Sequence, residues 1–168
     1  MSRFVTRFGS LASFEKGRVE VVADDPRHYA FSNVFEVAAT ARPWEQVAVA
    51  QNRQYVLEVL RAEGTSGWRA CGHDQSALVL DGRLLVDLRA LGEGQRPDPA
   101  GGGSRALPDA PAGPRVGRVE AGRGHLVLLP GGVGYRLGAP VGVVGVVLVQ
   151  TVRGPDTVFR WEQICQLS

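Results

Sequence analysis

Glycine punctuates this chain: 22 of its 168 residues, about one in eight, with valine and leucine gathered in short runs between them. Glycine weakens helices and supplies the positive φ that tight turns need, so the pattern demands many short strands joined by turns. Strands are expected at 18–22, 34–38, 46–49, 54–62, 76–80, 83–88, 115–120, 125–129 and 143–151. Within 54–62, Tyr55, Leu57 and Val59 alternate with Val56, Glu58 and Leu60, the period of a pleated strand with one buried face. Asp81-Gly82, between two apolar runs, reads as a hairpin turn.

The stretch 92–114 breaks the pattern. It holds Pro97, Pro99, Gly101, Gly102, Gly103, Pro108, Pro111 and Pro114, with Leu107 as its large apolar residue. Such a segment buries too little surface to offset its ordering entropy, and a mobile surface loop is expected. It interrupts a single domain, 18–168, that follows an N-terminal extension at 1–17. The triple glycine is followed by neither a lysine nor a helix, which argues against a phosphate loop. Trp161, Ile164 and Cys165 fall on one helical face and predict a short closing helix.

Composition narrows the function classes. The 19 basic and 17 acidic residues nearly cancel, unlike the basic cluster of a general nucleic-acid binder. Cys71 and Cys165 cannot build a disulfide framework and fit a reducing compartment. Residues 1–17 lack the apolar run of a secretory signal. The most apolar stretch, 141–149, has about half the length a membrane-spanning helix needs. A soluble cytoplasmic domain is expected, binding neither nucleic acid nor membrane.

Two strand-rich halves around a variable loop describe a cupin, a small antiparallel barrel. Its second motif, G-x5-P-x-G-x2-H-x3-N, finds Gly124, Pro130 and Gly132 in place, but Tyr135 at the histidine and Ala139 at the asparagine. Its first motif, G-x5-H-x-H-x3,4-E-x6-G, anchored at Gly82, puts Gln75 at the glutamate and Arg69 and Cys71 at the two histidines. The scaffold positions persist while the four metal positions have changed. An all-β cupin-type jelly-roll barrel with a short C-terminal helix is the expected fold. Arg69 is permanently cationic and donates only, so it cannot ligate a metal. About 4 Å from a divalent ion it would oppose binding by several kcal/mol. Cys71, His73 and His125 are the alternative ligand set, but His125 must come from another strand and no carboxylate accompanies it. The expectation is a barrel without metal.

Several long blocks carry a family resemblance. They are Asp25 to Val37, Tyr55 to Ser66, His73-Asp74, Leu80-Asp81-Gly82 and Gly124 to Pro130. The tail adds Gln150-Thr151, Asp156-Thr157-Val158, Trp161 and Ile164-Cys165-Gln166. Together they resemble the small subunit of two-component hydroquinone 1,2-dioxygenases, over roughly 18–167 apart from the Gly/Pro loop. The resemblance implies a cupin without its own iron, paired in a heterodimer or heterotetramer with a larger cupin-type subunit. There, Fe(II) and O2 open the ring of an aromatic diphenol to a hydroxymuconic semialdehyde. Gln75, where the family usually carries glutamate, and the Gly/Pro-rich loop are departures that admit a larger hydroquinone as substrate.

The same resemblance turns Trp68 toward the large subunit, where its ring would wall the phenol pocket; packing in the barrel mouth is the other reading. His73 and Asp74 are adjacent, so on a strand they point apart, and a structural or interface hydrogen bond is expected of them. Tyr135 fills the lost metal's space. The substrate-facing candidates are Trp68, Arg69, His73, Gln75 and Tyr135, with no catalytic residue in this chain. Tyr29, Phe31, Phe35 and Trp44 suit a permanent subunit interface, or an N-terminal strand covering the barrel. Arg115, Arg118 and Arg123, interleaved with Glu120, read as a solvated face. The competing function is an independent metal-free cupin that binds or isomerises a small ligand through Arg69, His73, Gln75 and Tyr135.

Overall fold

The computed structural model describes residues 9–15, 23 and 33–160. Among these residues, ten strands follow one α-helix: β1 (Val47–Gln51), β2 (Tyr55–Ala62), β3 (Thr65–Cys71), β4 (Gln75–Asp81), β5 (Arg83–Ala90), β6 (Ser104–Ala106), β7 (Arg115–Gly122), β8 (Leu126–Leu129), β9 (Val133–Gly138) and β10 (Gly145–Val152). They form two antiparallel five-stranded sheets, ordered β1-β2-β10-β4-β8 and β6-β3-β9-β5-β7. From β2 to β5 the chain crosses between sheets at every connection, which is jelly-roll topology.

Alternation along each strand builds the core between the sheets. Leu60, Ala77, Val79, Val127, Leu129, Val147 and Val149 of the first sheet meet Leu84, Val86, Leu88, Tyr135 and Leu137 of the second. The Asp81-Gly82 turn does not close a hairpin. β4 and β5 belong to different sheets, and the turn carries the chain across the barrel edge. Gly82 has φ +72, and a Cβ there would lie 2.8 Å from Gly145 Cα. Glycine is required by conformation and by space.

Residues 34–38, expected as a strand, are the start of helix α1 (Val34–Thr40). Asn33 caps it, its side-chain oxygen accepting from the Phe35 N–H at 3.0 Å. The apolar residues 34, 35, 37 and 38 follow the spacing of a helical face, not alternation. That face buries Val37 and Ala38 against Val47, Val59 and Val146, and so covers the outer side of the first sheet.

The Gly/Pro stretch is more built than its composition suggests. It contains a 3-10 turn at Glu93–Gln95 and strand β6, with Ser104 and Leu107 both buried. Hydrogen bonds replace apolar area: Gln95 Oε1 accepts from the Gly92 and Ala112 N–H groups at 3.0 and 2.9 Å. Strand β3 was not expected, because its interior positions are Arg69 and Cys71 and give no apolar alternation. The expected strand at 18–22, the closing helix expected from Trp161, Ile164 and Cys165, and Tyr29 and Phe31 lie outside the described residues. Among the described residues, no helix is long and apolar enough to cross a membrane.

Candidate functional site

The barrel interior, where the motif spacing places a metal, holds a polar network. Tyr135, 2% exposed, donates its hydroxyl to Gln75 Oε1 at 2.8 Å. The Gln75 amide donates to Thr151 Oγ1 at 2.7 Å. His73 Nε2 accepts from the Val152 backbone N–H at 3.2 Å, and Cys71 Sγ lies 3.2 and 3.4 Å from its two ring nitrogens. The Cys71 thiol also donates to Gly103 O at 3.0 Å. Burial pushes the Tyr135 hydroxyl up to about 12 and also raises the Cys71 thiol. Asp74, by contrast, turns away and accepts from the Gly131 N–H at 2.8 Å.

A second branch runs through Arg69. Its guanidinium donates to Ser104 Oγ and to Ser104 O, both at 2.9 Å, and pairs with Asp156 at 2.5 Å. Ser104 Oγ accepts from Gln46 Nε2 at 3.0 Å, and the same amide reaches Glu58 Oε2 at 2.9 Å. Thr157 donates to the other Glu58 oxygen at 2.5 Å. Glu58 is 1% exposed. Burial raises its carboxyl above the ordinary value, against the opposing pull of Thr157, Arg69 and Gln46. The alternation in β2 already put Glu58 on the face of Val56 and Leu60, and that was the available signal for this buried acid.

These side chains do not fit a metal ion. Arg69 has no lone pair to offer, and the hydroxyl of Tyr135 and the amide of Gln75 are engaged with partners. The alternative set is split. Cys71 and His73 meet at the start of β4, whereas His125 O accepts from Val79 and its ring binds Gly122 O. Gln75 to Val79 alone spans roughly 13 Å of strand. Among the described residues, no three His, Cys, Asp or Glu side chains form a group able to hold a metal.

Trp68 sits elsewhere, on the outer face of the second sheet. The Arg136 guanidinium stacks 4.9 Å from its ring centroid. Arg136 also pairs with Asp87 at 3.1 Å, and Asp87 receives Arg118 at 2.9 Å and Arg115 at 3.7 Å. These charges hold the Asp87 carboxyl below its ordinary range, with the Arg118 hydrogen bond the chief cause. Arg115 and Arg118, expected as scattered charges, are thus gathered by the β5–β7 register onto one aspartate, although both stay more than half exposed. Trp68, Asp87, Arg89, Arg115 and Arg136 line a cavity of about 490 Å³. Arg123 stands apart, paired with Asp81. Phe35, on α1, packs against the cluster of Val37, Val47 and Val59 on the outer side of the first sheet, and Trp44 packs against the barrel core.

A jelly roll of this topology, with Gly82, Gly124, Pro130 and Gly132 kept and a hydrogen-bonded polar core at the metal positions, is a cupin-type protein without the cupin ligand set. The chain is 46% identical to a chain of hydroquinone 1,2-dioxygenase from Sphingomonas sp. TTNP3, solved with 4-hydroxybenzoate bound, over 99% of both chains with a TM-score of 0.89. It is 44% identical to a chain of hydroquinone 1,2-dioxygenase PnpCD, solved with Cd2+ and 4-hydroxybenzonitrile, over 97% of both chains with a TM-score of 0.85. It belongs to the hydroquinone 1,2-dioxygenase family. A longer chain of PnpCD, solved with Fe3+, shares the fold alone: 10% identity over 88% of this chain and 41% of that one, with a TM-score of 0.58. No protein-family model and no curated protein matches the sequence.

Proposed function

We propose that this chain is the metal-free small subunit of a heteromeric, iron-dependent dioxygenase that opens the ring of a hydroquinone-type aromatic. One observation carries the reading. The match to the shorter dioxygenase chains is end to end, while the metal positions hold Arg69, Cys71, Gln75 and Tyr135, bound to one another and to their neighbours. The occurrence of a longer chain of the same fold in PnpCD supports a larger cupin-type partner that holds the iron. When bound there, Fe(II) supplies the open coordination positions at which a phenolate and O2 meet.

The contribution of this chain is structural and local. Its polar core stands in for a metal as the centre of the barrel, and it stabilises the larger subunit by association in the cytoplasm. Trp68, held flat by Arg136, offers an aromatic wall to the partner's pocket, and its indole N–H can fix the edge of a planar diphenol. The test is reconstitution of the purified chain with the larger subunit under anaerobic conditions, followed by Fe(II) and hydroquinone. Ring cleavage should appear only with both chains present. Full turnover by this chain alone, or a larger subunit equally active without it, overturns the reading.

A further inference from the structure

The outer face of the second sheet carries more positive charge than it neutralises. Trp68, Arg136, Asp87 and Arg118 form one row across β3, β9, β5 and β7, each the register partner of the next. Three strand spacings make that row roughly 14 Å long. Two residues further along β5, Arg89 stands opposite Arg115 of β7. Like charges placed directly opposite are destabilising unless an acid answers them. Here the acid is Asp87, which takes Arg118, Arg136 and Arg115 at 2.9, 3.1 and 3.7 Å. Arg89 lines the same cavity and has no ion pair among the described residues.

The other acids nearby do not close the balance. Glu120, on the same face, is taken by Arg83 at 2.9 Å. The exposed Asp109, next to the cavity-lining Ala110, pairs with none of these arginines. Four guanidiniums thus meet at most two carboxylates. The surplus is open to a partner, because Arg115 and Arg118 are 62% and 58% exposed. Charges so exposed and spread over four strands make a docking face, whereas a small ion is held by convergent, buried groups.

We propose that this face docks on an acidic segment of the larger subunit, with half-buried Trp68 as the anchor at one end of the row and Arg89, Arg115 and Arg118 taking the partner's carboxylates beyond it. An aromatic anchor flanked by guanidiniums is the usual composition of an interface centre. The planar fork of arginine matches a carboxylate with two parallel hydrogen bonds. The inference rests on the subunit reading and adds to it the sign of the partner's surface. The charges set the rate and register of association.

Association of the full chain with the larger subunit, followed without substrate by surface plasmon resonance, tests it. Raising the salt from about 50 to about 500 mM should slow association roughly tenfold. Arg115→Glu should weaken the complex roughly tenfold at low salt and flatten its salt dependence. Arg53→Glu makes the same charge change in the exposed β1–β2 turn of the first sheet and should alter the affinity by less than about twofold. Arg89→Gln breaks no ion pair, should weaken the complex several-fold, and gives the reading should Arg115→Glu fail to fold. A complex indifferent to salt, undiminished affinity in a folded Arg115→Glu or Arg89→Gln variant, or an equal loss in Arg53→Glu overturns the proposal and leaves the subunit reading standing. So does a variant that associates normally but has a raised KM for a carboxylated diphenol alone, which gives the surplus charge to the substrate. Failure of the unaltered chain to form any complex overturns the subunit reading, and this proposal with it.

Discussion

Arg69 and Tyr135 stand directly opposite each other in the β3–β9 register, each at a position where the cupin pattern carries a metal-binding imidazole. One is a fixed cation tied to Ser104 and Asp156, the other a buried phenol tied to Gln75. Neither side chain as placed suits a metal ligand: the guanidinium has no lone pair to offer and the phenol is engaged with Gln75. A single Tyr135→His change restores one imidazole but leaves the guanidinium, which opposes a divalent ion by several kcal/mol at about 4 Å. Zn2+ or Fe2+ should therefore leave the melting temperature of Tyr135→His unchanged. A metal-dependent rise of several degrees would show that Arg69 does not govern the site.

Tyr135→Phe should cost about 1–3 kcal/mol, because it leaves Gln75 Oε1 buried without a donor. Urea unfolding measures it as a lower midpoint at unchanged slope. An unshifted midpoint would mean that the Gln75 amide finds another donor.

The Glu58 carboxyl is raised by burial above its ordinary 4.5, so the folded chain holds this proton more tightly than the unfolded one. The stability it confers is complete below about 4.5 and is lost as pH rises through the raised folded value. Glu58→Gln, which keeps the shape of the protonated form, should fold and should remove that part of the pH dependence. Urea midpoints across the pH range from 4 to 8 give the comparison. Parallel curves for the two proteins would place the pH dependence elsewhere.

Gly82→Ala and Gly64→Ala separate conformation from space. Both glycines have positive φ, +72 and +65, but a Cβ at Gly64 meets nothing within 4 Å whereas one at Gly82 meets Gly145 Cα at 2.8 Å. Gly64→Ala should cost about 1 kcal/mol, the left-handed penalty alone, and Gly82→Ala clearly more. Equal melting temperatures for the two variants would refute the crowding at the β4–β5 crossing.

Trp68→Ala should leave the fold intact, since the ring lies on the outer face beside Arg136. In the reconstituted complex it should lower kcat/KM for hydroquinone by about tenfold, from the loss of about 1–1.5 kcal/mol of aromatic contact. Circular dichroism of the chain and steady-state kinetics of the complex separate the two effects. Unchanged kinetics would confine Trp68 to packing.

Much of the architecture was readable from local pattern. The alternation in β2, the glycines at 82 and 132 and the spacing to Tyr135 are short-range signals, and each lies where expected. The failures share a cause. Strand β3 is hidden because its inner positions are Arg69 and Cys71, and α1 reads as a strand only while its β-branched and aromatic content is weighed above the helical spacing of residues 34, 35, 37 and 38. The Asp81-Gly82 turn was recognised but not its destination, since the strands on either side pair with other partners.

The amino-acid order alone decided which residues replace the metal ligands and which strand faces are apolar, because side-chain chemistry and a two-residue period are properties of neighbours in the chain. The tertiary structure decided who meets whom. Glu58 became a buried acid only when Thr157, 99 residues away, closed over it. Arg115, Arg118 and Arg136 became one cluster only when β5 was paired between β7 and β9 over Asp87. Such contacts follow from long-range strand register, which is fixed by the packing of the whole barrel and leaves no trace in any short window of sequence.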